Sequence, residues 1–468
     1  MIMKRPNIIL ISIDTLRADH LSCYGYERIT TPHIDRLAGE GVLFTNAYST
    51  AVWTPPAHAS MLTGLYPNAH GVIHQNRLGD DFPTVAEILQ RSGYQTAGFV
   101  NNSQVGELVG LSRGHDDFYE IWRGLSKEQI VKRAIYNARR FAGYTDHGAS
   151  ETNKLIFHWL TKKWKRGKPF YMFIHHIDAH NPLKAPRPFR FKYLTESLRK
   201  QVDMAKIWKI ADNPLVCFTD DLELNEAEIE AVTCLYDEEI NYVDCKIGEL
   251  VDYLAHMKLL DHSLLIVTAD HGEHLGEHNL YSHVASLYEP IVHIPLILRY
   301  PRELASEAAS DQPVQHIDLL PTILEVGGSD EGYKLNGAGR NLFECLNGEE
   351  ASRILFAEWE GRIPYFVRNK LQGVRNHPLV ERFRNQLWMA RWGSFKLIAD
   401  SKGHFELYNL DEDPQEQVNL YGKASTIFDQ LRNALEDWRN SGASPVTSRS
   451  YDYEDETLRK HLKALGYL

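Results

Sequence analysis

The sequence has few cysteines, no long apolar run and no excess of positive charge. Its five cysteines among 468 residues are scattered and form no CxxC pair, which argues against a disulfide framework or a zinc knot. No segment approaches the roughly 18 uninterrupted apolar residues of a membrane span. The apolar run at residues 8–13 is too short for an export signal. We therefore predict a cytoplasmic protein without a membrane span.

The charge balance is acidic. With 51 Lys and Arg against 62 Asp and Glu, the formal net charge is −11, whereas a general nucleic-acid binder needs a basic surface. We therefore expect no nucleic-acid partner, and an anionic substrate must be bound by a local positive site. Histidine is plentiful at 22 residues, and several histidines lie in short polar clusters, as metal binding or proton transfer near pH 7 requires.

The order of apolar runs predicts an α/β fold with a large, mostly parallel sheet sandwiched by helices, because short runs alternate with amphipathic stretches. These runs are NIILISI, QTAGFV, FYMFIHHI, LLIVTAD and IPLILRY. After Gly339 come four strand-like pieces and a helical stretch at 426–440, which predict a small antiparallel sheet with one helix. Since single cores stop growing near ~250–300 residues, we predict a catalytic domain over residues 1–340 and a small C-terminal α+β domain over residues 341–468.

Two insertions interrupt this alternation. Residues 122–168 have a helical and basic pattern, and residues 186–224 hold bulky and mixed-charge side chains. Such segments can form the rim that selects a substrate, but solvated helices that cover the sheet fit the sequence equally well. Both interpretations stay open, and the sequence leaves a homo-oligomer open as well.

Four of the apolar runs end in residues that can do chemistry. In open α/β sheets, ligands gather beyond the carboxyl ends of the strands, so residues at these ends should converge although they are far apart in sequence. The strand-end residues are Asp14, Asn101 with Asn102, His176 with Asp178, and Asp270 with His271.

Thr54 is the candidate nucleophile. It precedes Pro55 and Pro56 and a helical stretch that runs through Leu62. A hydroxyl at a helix N-terminus lies where unpaired amides and the helix dipole favour an anion. The alternative is a threonine that merely caps the helix, which is the commoner role for this residue type.

Asp14, Asp270 and His271 are predicted to hold a divalent cation. Two carboxylates and an imidazole from separate strand ends can bind such an ion. The ion would lower the pKa of the Thr54 hydroxyl and neutralise charge on an ester. Mn, Zn, Ca and Mg all stay open as its identity.

The segment HHIDAHNP supplies candidates for proton transfer. His176, Asp178 and His180 share one face if the strand continues through them, and His180 is the candidate general acid for a leaving oxygen. Among the histidines at residues 271–283, His283 is the candidate for contact with substrate or with a second metal.

Together these segments resemble the sulfatase family within the alkaline-phosphatase superfamily. RPNIILISIDTLRADHLSCYGY is similar to its N-terminal signature, PAHASMLTGLYP to its nucleophile helix, and VTADHGEHLGEH to its metal segment. DLLPTILEVGG and FELYNLDEDPQEQVNL are similar to later pieces of the family. The resemblance covers most of the chain. It implies the family's fold and a metal between Asp14, Asp270, His271 and Thr54.

The chain departs from ordinary sulfatases at three places. Their paired aspartates become Asp14 and Thr15, and their sulfate-binding Lys and His are replaced within residues 101–103. Their Cys or Ser, which matures to formylglycine, and the Arg that follows are here Thr54 and His58. Oxidation of a threonine, a secondary alcohol, would give a ketone, so the aldehyde-hydrate mechanism is disfavoured.

The pattern Thr54-x-Pro-x-His58 is instead similar to phosphodiesterase and phosphonate monoester hydrolase members, in particular nucleotide pyrophosphatases/phosphodiesterases with a threonine nucleophile. In two-metal relatives an Asp and two further histidines hold a second ion. This resemblance implies Asp178, His180 and His283 as ligands of a second ion, although the spacing DAH is shorter than the DxxxH of those enzymes.

We therefore predict a metal-dependent hydrolase that cleaves a small-molecule phosphate ester, with a diester or phosphonate monoester favoured. In this hypothesis Thr54 attacks, Asn102 and the metal stabilise charge, His180 protonates the leaving group and His283 assists. Three alternatives stay open: a sulfatase that acts on a sulfate ester without formylglycine, a phosphotransferase, and an inactive scaffold.

Overall fold

A computed structural model of the chain describes residues 5–73, 76–124, 146–329, 339–346, 353–371, 378–423, 425–442 and 456–464. The strands in these residues are β1 (Asn7–Ile13), β2 (Val42–Phe44), β3 (Ala47–Tyr48), β4 (Gln95–Val100), β5 (Asp117–Glu120), β6 (Phe170–His176), β7 (Ser263–Ala269), β8 (His274–Leu275), β9 (Tyr281–Ser282), β10 (Leu296–Arg299), β11 (Ala308–Ser310), β12 (Val314–Gln315), β13 (Leu355–Trp359), β14 (Leu387–Trp392), β15 (Phe395–Asp400) and β16 (Phe405–Asn409).

The α-helices of the described residues are α1 (Pro32–Gly39), α2 (Thr54–Thr63), α3 (Pro67–His70), α4 (Val85–Arg91), α5 (Ile121–Gly124), α6 (Ala149–Lys162), α7 (Glu196–Arg199), α8 (Met204–Asp212), α9 (Val216–Thr219), α10 (Glu226–His256), α11 (Glu289–Val292), α12 (Leu319–Gly327), α13 (Leu342–Cys345), α14 (Tyr365–Lys370), α15 (Pro378–Arg384), α16 (Ser425–Asn440) and α17 (Glu456–Ala464). None of them is both long and apolar enough to span a membrane.

The main sheet has eight strands in the order β11-β2-β10-β7-β1-β6-β4-β5. Strand β1 pairs in parallel with β6 and β7, and β10 runs antiparallel to β7 and β2. All seven residues of β1 are buried, as expected of a central strand covered by helices on both faces. The predicted large, mostly parallel sheet with helices is confirmed.

The register of the three central strands brings their carboxyl ends together. Ile13 on β1 lies opposite His176 on β6 and opposite Ala269 on β7. The residues that follow these positions therefore leave the sheet side by side at one edge. This register explains why Asp14 and Asp270 meet although more than half of the chain separates them.

The C-terminal part folds as predicted from its sequence. Strands β13, β14, β15 and β16 form an antiparallel sheet of four strands in sequence order. Helix α16 packs on this sheet through Leu431 and Leu435, which are buried with Trp388 and Leu397. The sheet is tied to the catalytic half by an amide hydrogen bond of 2.9 Å from Gln315 to a β13 carbonyl. The division at residues 340 and 341 stays a prediction.

The described parts of the two insertions contain helices joined by turns. Helices α7, α8 and α9 lie within residues 186–224, and α8 packs against the long helix α10. Helix α5 begins one residue before residues 122–168 and ends inside them, and α6 lies wholly within them, whereas residues 125–145 lie outside the described residues. A role of these insertions in substrate selection stays a prediction.

Candidate active site

Thr54 opens helix α2, as the sequence indicated. Trp53 is the N-cap residue, with extended φ and ψ of −141° and 139°, and Thr54 occupies the first position of the helix. The interpretation of Thr54 as a mere helix cap is therefore wrong. Its Oγ1 lies 3.5 Å from Nε2 of His271, at the end of the helix where the dipole favours negative charge.

Among the described residues, one group of three side chains that could bind a metal has all of its ligand atoms within 4.8 Å of one another. It consists of Asp14, Asp270 and His271. All three residues are fully buried. They come from the loops that follow β1 and β7, which is the sheet edge that the sequence predicted. This group contains the predicted core of the metal site.

The hydrogen bonds of the two carboxylates fit a cation. One oxygen of Asp270 accepts hydrogen bonds from the backbone amides of Thr15 and His271, at 3.1 and 2.9 Å. One oxygen of Asp14 accepts a hydrogen bond of 3.0 Å from the amide of Asn102. The other oxygen of each carboxylate is buried and makes no hydrogen bond to the described residues. Such buried anionic oxygens are stabilised by a bound divalent ion.

Histidines also surround Asp14. Burial alone would raise the pKa of this carboxyl group, but a hydrogen bond from His175 and the charges of His180 and His271 hold the pKa well below its usual value. Nε2 of His175 lies 3.5 Å from the Asp14 carboxylate. Asp14 is therefore ionised at neutral pH, as a metal ligand must be.

His58 lies against the backbone of Thr54. Its Nδ1 donates to the carbonyl oxygen of Thr54 at 2.9 Å, and its Nε2 accepts from the hydroxyl of Ser12 at 3.0 Å. Burial lowers the pKa of His58 to about 4, so the ring is neutral at pH 7. The motif Thr54-x-Pro-x-His58 makes His58 a candidate catalytic residue, and that role stays a prediction; the geometry shows a ring whose two nitrogens already have partners.

The rings of His271, His283 and His180 lie in a row across the candidate site. The ring centroids of His271 and His283 are 4.6 Å apart, and those of His283 and His180 are 5.2 Å apart. His271 donates from Nδ1 to the carbonyl oxygen of Gly272 at 3.0 Å. Its Nε2 therefore presents a lone pair toward Thr54 and Asp270, as a metal ligand requires.

The rings of His180 and His283 differ in their hydrogen-bond partners. Nδ1 of His180 donates to the carbonyl oxygen of Asn181 at 2.7 Å, whereas Nδ1 of His283 lies 3.1 Å from the Glu273 carboxylate. Burial lowers the pKa of both histidines, that of His283 to about 3. Burial also raises the pKa of Glu273 to about 7. Both rings are therefore mainly neutral at pH 7 and present Nε2 as an acceptor.

Asp178 does not join this group. Strand β6 ends at His176 and the chain then turns, with φ of 97° at Ala179, so the alternation assumed for His176, Asp178 and His180 is wrong. The Asp178 carboxyl group instead lies near Asp146, whose charge together with burial raises the Asp178 pKa to about 8. The predicted second-metal set of Asp178, His180 and His283 is therefore not brought together.

The sequence interpretation missed several residues of the site. Ser12 holds His58, and His175 lies beside both Asp14 and the His58 ring, with ring centroids 5.1 Å apart. The sequence contained a signal that could have identified Ser12, because residues two apart on a strand share a face. Ser12 is two residues before Asp14, and it pairs with His175 in the sheet register.

Comparisons with known proteins agree with this geometry. A profile of the family described as Sulfatase matches residues 6–329, and one described as N-sulphoglucosamine sulphohydrolase, C-terminal, matches residues 276–441. The chain is 25% identical to the uncharacterized sulfatase YidJ of Escherichia coli (strain K12), over 98% of this chain and 91% of that protein. It is 26% identical to the N-acetylglucosamine-6-O-sulfatase of Bacteroides thetaiotaomicron, over 90% and 83% respectively.

The fold is shared with solved structures. The crystal structure of the phosphonate monoester hydrolase of Agrobacterium radiobacter superposes with a TM-score of 0.72 at 22% identity, over 93% of this chain and 96% of that one. Fold and matches together define an ester hydrolase with a site suited to a divalent metal. The chain belongs to the sulfatase family, since the family profile spans well over half of its length. The predicted family and enzyme class are confirmed.

Proposed function

We propose that this chain hydrolyses a phosphate ester with the Thr54 hydroxyl as nucleophile, and that it prefers a phosphodiester or a phosphonate monoester. The observation that carries the proposal is the position of Thr54 Oγ1, 3.5 Å from Nε2 of His271, a residue whose ligand atom lies within 4.8 Å of those of Asp14 and Asp270. A threonine cannot mature to formylglycine, so attack must come from the hydroxyl itself. Thr54 reacts as the alkoxide, its proton having been released to solvent, and its oxygen forms a bond to phosphorus while the bond from phosphorus to the leaving oxygen breaks. Water later cleaves the phosphothreonine and regenerates the alkoxide.

Asp14, Asp270 and His271 would hold one divalent cation next to Thr54. When bound, such an ion lowers the pKa of a neighbouring hydroxyl and offsets the negative charge of the ester. The ligand set of two carboxylates and one imidazole suits Mn, Zn, Ca or Mg. We propose one ion and not two, because Asp178, His180 and His283 do not form a second group of converging ligand atoms among the described residues.

The remaining polar side chains orient groups and move protons. Asn102, fixed by its hydrogen bond to Asp14, stabilises negative charge on a phosphoryl oxygen. His180 gives a proton from Nε2 to the leaving oxygen as the P–O bond breaks. Its Nδ1 proton is held by the Asn181 carbonyl, so this step uses the doubly protonated ring. Burial lowers the His180 pKa and makes this the minor form at pH 7, although the charges of Asp14 and Glu273 partly offset that effect. The deprotonated Nε2 then accepts a proton from the attacking water.

A panel of four esters with p-nitrophenolate as leaving group tests the substrate class. The panel consists of bis-p-nitrophenyl phosphate, p-nitrophenyl phenylphosphonate, p-nitrophenyl phosphate and p-nitrophenyl sulfate. We expect kcat/KM for the diester or the phosphonate to exceed that for the other two by at least about tenfold, or ~1.4 kcal/mol in transition-state binding. Predominant turnover of the sulfate would overturn the proposal.

The nucleophile is tested separately by trapping. Acid quenching during steady-state turnover of the diester, followed by peptide mass spectrometry, should reveal a phosphoryl group on the peptide that contains Thr54. Thr54→Ala should show no such adduct and should lose roughly 10³-fold or more in kcat, as loss of a nucleophile does. Thr54→Ser, which keeps a hydroxyl, is the matched control and should retain measurable turnover. Full activity of Thr54→Ala would exclude Thr54 as the nucleophile.

Hydrolysis of a sulfate ester is the second candidate function. It is favoured by the relatives, which include an N-acetylglucosamine-6-O-sulfatase. In this case Thr54 would attack sulfur and the trapped adduct would be a sulfothreonine. The same panel and the same peptide analysis distinguish the two functions, because phosphoryl and sulfuryl adducts differ in their acid stability and fragmentation.

A further inference from the structure

The loop that follows β1 has a strained backbone at Thr15. The φ of this residue is 56°, in the left-handed region that a β-branched residue rarely adopts. The side chain does not account for this conformation, because its hydroxyl is buried and makes no hydrogen bond to the described residues. Such strain persists only where the surrounding structure holds it. The contacts of the Thr15 backbone must therefore stabilise the conformation.

The Thr15 backbone is hydrogen-bonded through both its amide and its carbonyl. The amide donates to a carboxylate oxygen of Asp270 at 3.1 Å, and the carbonyl accepts a hydrogen bond of 2.6 Å from the hydroxyl of Tyr236. Asp14, the other carboxylate of the candidate metal site, directly precedes Thr15 in the chain. The left-handed turn at Thr15 therefore connects the two carboxylates, through the chain on one side and through a hydrogen bond on the other.

Tyr236 holds this loop at two points. The residue is fully buried on helix α10. Its hydroxyl donates to the Thr15 carbonyl and accepts a hydrogen bond of 3.0 Å from the amide of Arg17. Burial raises the pKa of Tyr236 well above its usual value, so the hydroxyl keeps the proton that it donates. One side chain thus pairs with a carbonyl and an amide whose burial would otherwise cost free energy.

Arg17 connects the same loop to the segment that follows β7. Its Nη1 donates to the carbonyl oxygen of Glu273 at 3.0 Å, three residues after Asp270 in the chain. The hydrogen bond from Thr15 to Asp270 is a second link between the two loops. Tyr236 is bonded to the backbone of both residues from which these links begin. It is therefore placed to fix the two metal-binding loops relative to each other.

We propose that Tyr236 is a positioning residue for the metal site, and that its hydroxyl holds Thr15 in the left-handed conformation that directs the Thr15 amide to Asp270. The inference rests on the part of the proposed function that places one cation among Asp14, Asp270 and His271. Without the hydroxyl, the Thr15 backbone relaxes to a negative φ and its amide turns away from Asp270. The two carboxylates are then no longer held ready for a cation, and the affinity for the ion falls.

Calorimetric titration of the metal-free protein with Mn²⁺, which accepts carboxylate and imidazole ligands, tests this inference without any substrate. We expect Tyr236→Phe to raise the Kd for Mn²⁺ about tenfold, as loss of a supporting hydrogen bond around a metal site does. Glycine adopts a positive φ without strain, so Thr15→Gly alone should change the Kd less than about threefold. In the Thr15→Gly background, Tyr236→Phe should also cost less than about threefold. A tyrosine that merely supported the fold would lower the affinity equally in both backgrounds.

Tyr253→Phe is the matched control, because Tyr253 stacks on Phe157 roughly 25 Å further along the same helix. It should leave the Kd unchanged. An unchanged Kd in Tyr236→Phe, or an equal loss in both backgrounds, would overturn the inference while the proposed function stands. If Tyr236→Phe does not fold, Thr15→Gly should restore its circular dichroism spectrum, and failure to do so would also overturn the inference. A wild type that binds no Mn²⁺ would overturn the proposed metal site, and the inference with it.

Discussion

Nδ1 of His58 donates a hydrogen bond to the backbone carbonyl of Thr54, four residues earlier and 2.9 Å away. The histidine thus holds the first turn of α2, while Ser12 of β1 fixes its other nitrogen. The candidate nucleophile is connected to the central strand through this chain of hydrogen bonds. Side chains that hold a reacting group in place affect the rate without taking part in bond breaking.

We expect His58→Ala to lower kcat for bis-p-nitrophenyl phosphate by roughly 10²-fold with little change in KM, because Thr54 is no longer held in position. His58→Asn, whose amide can donate to the same carbonyl, should lose less. Steady-state kinetics on both variants, with circular dichroism to verify folding, measure this effect. An unchanged kcat in His58→Ala would refute a positioning role.

Asp14 and Asp270 should control metal content. We expect about one divalent ion per chain in the purified wild type, measured by inductively coupled plasma mass spectrometry, and a stoichiometry below about one tenth in Asp270→Asn. Chelation should abolish turnover, and added Mn, Zn, Ca or Mg should restore it to different extents. Asp252→Asn, on the surface beside Arg36, is the control and should keep its metal. Retention of a full ion by Asp270→Asn would contradict the proposed ligand set.

The parallel sheet and the convergence of its strand ends were predictable from the sequence. Buried parallel strands produce continuous apolar runs, and the topology of such sheets places their carboxyl ends at one edge. Asp14 and Asp270 followed from these two rules. The small antiparallel sheet and helix α16 were also predictable, because the hydrophobic periodicity of these segments is regular.

The sequence was misleading where the chain leaves regular structure. Alternate residues share a face only inside a strand. The strand ends at His176, and the Asp178 carboxyl group lies near Asp146. The position of α17 depends on tertiary packing of Leu458 and Leu462, and no local pattern specifies the partner of an amphipathic helix.

Lys396 should link the C-terminal sheet to the catalytic half. This fully buried lysine of β15 lies 2.9 Å from Glu289 of α11 and 2.8 Å from Glu416. We expect Lys396→Met to lower the free energy of unfolding by about 3 kcal/mol, because two buried carboxyl groups lose their cation. Urea denaturation followed by tryptophan fluorescence measures this change. Lys402→Met, on the exposed edge of the same sheet, should change stability by less than about 0.5 kcal/mol; an equal effect would remove the special role of Lys396.

Asp178 should make the folded state less stable as the pH rises. Burial and the charge of Asp146 raise the pKa of Asp178 to about 8 in the folded state, against 3.8 for the free side chain. Folding therefore favours the protonated form. Its stabilising contribution is complete below pH 3.8 and is lost as the pH rises through about 8. The loss amounts to about 1.4 kcal/mol per pH unit between these values.

Asp178→Asn removes this titration, because a neutral amide of the same size replaces the carboxyl group. Between pH 6 and pH 8 we expect wild-type stability to fall by about 2 kcal/mol more than that of the variant. The free energy of unfolding in urea at the two pH values measures this difference. Buried acids whose pKa does not depend on Asp178, such as Glu358, titrate in both proteins and cancel in the comparison. If the free energies of unfolding of the two proteins change equally with pH, Asp178 is ionised in the folded state. A cation or a hydrogen-bond donor would then have to lie beside it, since the neighbouring acids cannot stabilise its charge.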